Sequence, residues 1–167
     1  GLKTHAKLSL VVRDEPQGIR RYCHIGTGNY NPKTARFYED LGILSADTVL
    51  TEDLTKLFNQ LSGFAPHSTY SRLLVAPRTL RTGLLEKIEN EIVNAKAGKP
   101  AGIQMKLNSL LDEEFVEALY AASNAGVKVD LVAAEYVLFA QVSPGSLKIF
   151  ESAQVLEDSL SILLSST

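Results

Sequence analysis

From Arg72 onward, strand-length apolar runs alternate with helical stretches, and that alternation leaves few folds open. Arg72–Ala76 reads as a short apolar strand. Thr79–Ala97 carries Leu80, Leu84, Ile88 and Ile92 at helical spacing and is closed by Gly98 and Pro100. Gly102–Leu107 reads as a strand again. Asp112 then caps a helix whose Phe115, Val116 and Leu119 face inward, Gly126 closes it, and Val127–Val132 is a further strand. Strand, helix, strand, helix, strand in this order favours parallel strands joined by right-handed crossovers. The expected class is α/β.

The segment before it reads differently. Ala6–Arg13 alternates loosely and is rich in Leu and Val, the pattern of a half-buried strand. Asp14–Gly18 holds the Pro and Gly of a turn, and Arg20–Ile25 returns, so the pair is a hairpin. Gly26-Thr27-Gly28-Asn29 follows as a loop. Asn31 caps and Pro32 opens a helix predicted to run to Leu41 and to stop at Gly42. Another helix is predicted from Thr51, with Leu54, Leu57, Phe58 and Leu61 as its stripe. Gly63–Tyr70, broken by Pro66, reads as a linker, which divides the chain into residues 1–66 and 67–167. Beyond Val132 the pattern weakens. Ala133–Phe139 prolongs the strand, Ser146–Thr167 holds no convincing strand, and Leu156, Leu160, Leu163 and Leu164 line one side of a helix.

Composition narrows the function classes. A formal charge of -2 over 167 residues argues against a generally basic nucleic-acid binder, although a local basic pocket depends on placement rather than on the sum. The single Cys23 cannot close an intramolecular disulfide, which favours a reducing, cytoplasmic setting, at most peripheral to a membrane. No apolar run approaches the roughly 18–20 residues that span a bilayer. The first residues lack both an initiating Met and the apolar core of a signal peptide, so the chain is expected to be part of something longer.

Candidate chemistry concentrates near the start. His5 and Lys7 stand two apart where a strand begins, so both project to one face, and hairpin pairing brings His24 back towards them. The loop Gly26–Asn29 adds backbone N–H groups and the Asn29 amide beside a predicted helix start, where anions bind readily. A neutral imidazole, with a reference pKa of about 6.5, is a competent nucleophile towards phosphorus and divides transfer into two steps. Lys7, Asn29 and the loop amides fit the stabilisation of transferred negative charge, and His24 fits a proton donor or second phosphate ligand. By spacing alone, a structural role for these histidines is an equal alternative. Three histidines without a nearby Cys or carboxylate at ligand spacing make a zinc site a poor fit.

His5-Ala6-Lys7 followed by Gly26-Thr27-Gly28-Asn29 is similar to the half-motif of the phospholipase D superfamily, whose members attack phosphodiesters through His. The Asp that superfamily places further along the strand is Val12 here. The longer strings resemble the polyphosphate kinase family specifically: Lys3–Lys7, Arg21–Arg36, Leu73–Pro77, Lys106–Leu110 and Leu119–Ser123, over roughly residues 1–132. That resemblance implies parts of two adjacent phospholipase D-like α/β domains, 1–66 carrying the nucleophile and 67–167 opening the second. It implies an ATP:polyphosphate phosphotransferase working through a phosphohistidine. His5 matches the phosphorylated residue, His24 the second required histidine, and Tyr38 the tyrosine that stacks on the adenine of ATP. Lys7 and Asn29 become phosphate contacts, Lys106 and Asn108 candidates for a second half-site, and Lys33 and Arg36 candidates for a polyphosphate path. Magnesium is the implied cofactor, with no ligand set identifiable in this chain. ATP, ADP and inorganic polyphosphate are the implied partners, within a homo-oligomeric parent. The rival readings are a phospholipase D-like phosphodiesterase and a non-catalytic polyanion-binding remnant.

The resemblance breaks after Val132. The family's Val-Arg-Gly stretch is replaced by Ala133-Ala134-Glu135, and no Arg occurs after Arg81. Where the family has Gly-Arg-Phe-Leu-Glu-His, this chain has Leu156-Glu157-Asp158-Ser159-Leu160-Ser161-Ile162. The codons TTG GAA GAT TCC TTG AGC ATT encode that segment. Read from the last base of the first codon, they give Gly-Arg-Phe-Leu-Glu-His. The tail is therefore expected to be a frameshifted translation, and this chain alone is expected to have little kinase activity. Sequencing the coding DNA tests this: codons able to yield those six residues in the shifted frame are expected, and codons that cannot yield them end the idea.

Overall fold

The computed structural model describes residues 4–64, 67–137 and 147–151. The chain forms two compact units, Gly1–Val75 and Ala76–Thr167.

In the first unit, β1 (Lys7–Glu15) and β2 (Gly18–Gly26) form the expected hairpin, each reaching further than its apolar run. Pro16 and Gln17 make the bend, and Gly18 leaves it at φ 108°, a left-handed value that a side chain would strain. The strands are antiparallel, with Ser9 opposite His24 and Leu10 opposite Cys23. β3 (Gly42–Ser45) adds to the other edge of β2. One face of this sheet is apolar. Leu8, Leu10, Cys23 and Ile25 pack with Leu50, Leu54, Leu57 and Phe58 of α1 (Thr48–Leu61).

Several expectations change here. The helix predicted over Asn31–Leu41 is a single 3-10 turn, Thr34–Arg36, that buries no residue. Asn31 does accept from the Lys33 N–H at 2.9 Å. Without an apolar face to bury, one capped turn does not propagate. Gly42 accordingly opens β3 instead of ending a helix. Helix α1 starts three residues before Thr51. Asp47 caps it, accepting from the Leu50 N–H at 2.8 Å, while Thr51 lies buried with its hydroxyl on the Asp47 carbonyl.

The strand predicted at Arg72–Ala76 is absent for a definable reason. Asp53, fully buried on α1, accepts from the N–H groups of Ser71, Arg72 and Leu73 at 2.8, 2.6 and 3.1 Å. Amides committed to a carboxylate cannot join a sheet ladder. Tyr70, Leu73 and Val75 instead pack on the first unit's core. Sequence composition set the division at 66/67, whereas the compact units part between Val75 and Ala76.

The second unit keeps the predicted alternation. It runs α2 (Leu80–Lys96), β4 (Gly102–Leu110), α3 (Glu113–Asn124), β5 (Lys128–Val137) and β6 (Leu147–Glu151). The sheet order is β4-β5-β6, parallel throughout. Its core gathers Ile88 and Ile92 of α2, Ile103 and Leu110 of β4, Phe115, Val116 and Leu119 of α3, and Val129 and Leu131 of β5. Asp112 caps α3 as predicted, accepting from the Phe115 N–H at 3.1 Å. Its carboxylate also accepts from Arg81 at 2.8 Å. β6 corrects the reading of Ser146–Thr167 as strandless: Leu147–Glu151 is too short to stand out as a run, and the β5 edge supplies its ladder. The predicted stripe from Leu156 to Leu164 lies outside the described residues.

Asp53 generates a prediction. Burial pushes its carboxyl up, but the amides of Arg72, Ser71 and Leu73, with the Lys56 ammonium, outweigh that and hold it below the ordinary carboxylate value. A lowered folded value means that its stabilisation is present above the unfolded pKa, about 3.9, and is lost as pH falls through the folded value. Asp53→Ala is expected to cost about 2–4 kcal/mol in urea unfolding, because three N–H donors lose their acceptor. Asp53→Asn, read the same way, is expected to cost less and to flatten the acid limb below about pH 4.

Candidate active site

The hairpin register decides which side chains meet. Cross-strand partners share a face, and alternate residues along a strand share it too. Lys7 pairs with Gly26 and Ser9 with His24, so these four lie on the face opposite Leu8, Leu10, Cys23 and Ile25. Cys23, on the apolar side, is buried, and that burial pushes its thiol up from the ordinary value, which leaves it a core residue.

His5 lies just ahead of β1. Its Nε2 is 2.9 Å from the Lys7 Nζ, and Lys7 is buried at 8% relative exposure. An ammonium has only protons to give, so in this contact Nε2 carries the lone pair. Nε2 is therefore the unprotonated nitrogen of the ring, its lone pair engaged by the Lys7 ammonium. His24 makes its own contact: Nδ1 is 2.5 Å from the Tyr30 hydroxyl oxygen, with ring centroids 5.5 Å apart. Tyr30 in turn accepts from the Ser9 hydroxyl at 3.2 Å. The structure thus joins His5 with Lys7, and His24 with Tyr30 and Ser9, and it sets Lys7, Ser9 and His24 on one face of the hairpin.

The glycine loop differs from expectation. No α-helix follows it, so it has no helix N-terminus to lend. The Thr27 N–H donates to the Leu41 carbonyl at 2.9 Å, and the Thr27 hydroxyl donates to Asp40 Oδ1 at 2.9 Å. The Asp40 carboxylate lies against Gly28, where a Cβ would come within 2.4 Å of Oδ2. A carboxylate there repels an anion at Gly28, so near His5 the positive charge comes from Lys7, while Arg13 and Arg20 pair further along the same face. Asn29 is exposed at the loop's end. Tyr38 follows the 3-10 turn in irregular chain at 37% exposure, beside Phe37 at 75%. Lys33 and Arg36 are exposed on the same stretch. In the second unit, Lys106 is exposed on β4 and Asn108 sits at a register shift between Leu107 and Ser109.

Sequence reasoning missed Ser9, Tyr30, Asp40 and Gly42. Ser9 carried a usable signal, since it continues the two-residue alternation of His5 and Lys7. Tyr30 and Asp40 carried none, because their partners are fixed only by the loop's path. Among the described residues no group of three or more His, Cys, Asp or Glu side chains could hold a metal ion. No described helix is long and apolar enough to cross a membrane.

Residues 1–67 match the family described as Polyphosphate kinase C-terminal domain 1, and residues 73–157 match Polyphosphate kinase C-terminal domain 2. Over 131 residues, 78% of this chain, it is 58% identical to a polyphosphate kinase of Streptomyces coelicolor. Over 132 residues, 79% of this chain, it is 54% identical to that of Mycolicibacterium gilvum. In both cases the match spans only 18% of the relative's length. The crystal structure of polyphosphate kinase from Porphyromonas gingivalis superposes with a TM-score of 0.76 and 35% identity, covering 89% of this chain and 25% of that one.

Gly28 provides a test of the loop. Gly28→Ala is expected to drive Asp40 off the loop, costing about 1 kcal/mol through the Thr27 hydrogen bond and raising amide exchange at Thr27 and Leu41. Gly102→Ala, whose Cβ would meet the Lys128 carbonyl at an ordinary 3.8 Å, should leave those amides unchanged.

Proposed function

This chain belongs to the polyphosphate kinase family, and from that premise we propose that it supplies the nucleophile-bearing part of an ATP:polyphosphate phosphotransferase. The class is α/β and the fold phospholipase D-like, and the activity is carried by a protein several times longer. Residues 1–66 belong to the end of one such domain and 67–167 to the start of the next, with 67–75 folded back onto the first unit. The observation carrying the reading is the 2.9 Å contact between Lys7 and the His5 Nε2 lone pair, with His24 on the same face.

The reaction follows from those residues. The Lys7 contact to Nε2 opens, the freed Nε2 lone pair of His5 attacks the terminal phosphorus of ATP, a P–N bond forms, and the bond from that phosphorus to the bridging oxygen breaks, releasing ADP. Lys7, once released from Nε2, donates to the transferred oxygens as they take up charge. His24 donates to an oxygen of the transferring or leaving phosphate. A terminal oxygen of polyphosphate then attacks the same phosphorus, the P–N bond breaks, and the imidazole returns with the polymer one unit longer. Each step reverses. Tyr38 offers an exposed aromatic face for adenine, and Asn29 a phosphate contact at the loop's end. Divalent metal commonly neutralises triphosphate charge in such transfers. Such an ion is held chiefly by phosphate oxygens and water, with one or two carboxylates. Phosphodiester hydrolysis would use the same imidazole, but nothing observed favours it over transfer.

A chimera tests this reading. Residues 1–132 of this chain replace the matching segment of the Streptomyces coelicolor enzyme. With ATP labelled at its terminal phosphate, the chimera is expected to acquire acid-labile label and to extend polyphosphate. His5→Asn should lose both, by at least about a thousandfold in rate. Label persisting in His5→Asn would place the nucleophile elsewhere.

A further inference from the structure

Beyond its assignment as second histidine, His24 is held by contacts on two sides. Its Nδ1 meets the Tyr30 hydroxyl at 2.5 Å. The Cε1–Nε2 edge of the ring lies across two cross-strand glycines, Gly26 of β2 and Gly42 of β3. A Cβ on Gly26 would stand 2.8 Å from the ring's Cε1, and one on Gly42 would stand 2.6 Å from its Nε2. Any side chain at either position would therefore displace the imidazole.

The hydrogen-bond chain has a direction. Ser9 Oγ donates to Tyr30 Oη at 3.2 Å. The tyrosine oxygen accepts there, and its one proton remains for His24. A neutral imidazole accepts at one nitrogen and donates at the other, and the partner of the first fixes the state of the second. A tyrosine proton on Nδ1 thus leaves the ring hydrogen on Nε2, the nitrogen over the glycine pair. That is the only ring position from which His24 can donate to a phosphate oxygen.

We propose that Tyr30 and Ser9 are positioning residues for His24, a relay that holds its imidazole as the Nε2–H tautomer with the donor edge over Gly26 and Gly42. The consequence for chemistry rests on the phosphoryl-transfer reading above. The tautomer itself does not, and it can be measured without turnover.

The chain has only three histidines, so long-range proton–nitrogen correlation spectra of the 167-residue protein resolve each ring. His24 is expected to show a protonated Nε2 and an unprotonated Nδ1 that accepts a hydrogen bond. Tyr30→Phe, which keeps the ring and removes one oxygen, should move the Nδ1 resonance towards that of a free lone pair. Ser9→Ala should move it the same way by less, and it guards against a Tyr30→Phe protein that fails to fold. His67 should not move in either variant. A protonated Nδ1 at His24, or an Nδ1 resonance indifferent to both substitutions, overturns the proposal. In the chimera, Tyr30→Phe should lower kcat about tenfold with KM for ATP unchanged. An unaltered kcat would remove the catalytic consequence, while a chimera inactive from the outset, with the tautomer as expected, counts against the phosphoryl-transfer reading alone.

Discussion

In the first unit, the pairing of Ser9 with His24 settles which groups face the core and which face away from it. Side chains on a strand alternate with period two, so a slip of one residue would exchange the faces of a whole strand. Leu8, Leu10, Cys23 and Ile25 bury their apolar surface against α1, and that burial is the force holding the register. The same alternation then turns Lys7, Ser9, His24 and Gly26 the other way. This arrangement is a by-product of packing: an ammonium, a hydroxyl and an imidazole share one face because four apolar neighbours share the other.

Backbone hydrogen bonding explains most of what surrounds this face. Asp53 gathers the amides of Ser71 to Leu73 and draws the following segment onto the first unit. The Thr27 amide and hydroxyl tie the loop to Leu41 and Asp40, which carries the chain from the 3-10 turn into β3. β3 brings Gly42 beside Gly26, and the paired glycines make room for an imidazole no other residues would admit. In the second unit Asp112 combines a helix cap with ion pairs to Arg81 on α2, fastening two elements through one carboxylate.

The elements legible in the amino-acid string are those whose signal is local. The hairpin, α2, β4, α3 with its Asp112 cap, and the start of β5 follow from apolar period and punctuation. Arg72–Ala76 looked like a strand because Leu73, Leu74 and Val75 are apolar, but apolarity does not say whether an amide will find a strand or an aspartate. The stretch from Asn31 to Leu41 carries a capping signal yet lacks an inward stripe, so its helix stops after one turn. The neighbourhood of His5 and Lys7, and the return of His24 to their strand, were visible from spacing. Tyr30, Asp40 and Gly42 act through contacts that depend on the path of a loop, and no spacing rule reports that path.

The most direct measurement is the cross-strand pattern of backbone nuclear Overhauser effects in the hairpin. Contacts linking Ser9 to His24, Leu10 to Cys23 and Lys7 to Gly26 are predicted, together with a side-chain contact between Lys7 and the His5 ring. Ser9 found opposite Cys23 or Ile25 would reverse the faces, bury His24, and contradict the account at its root.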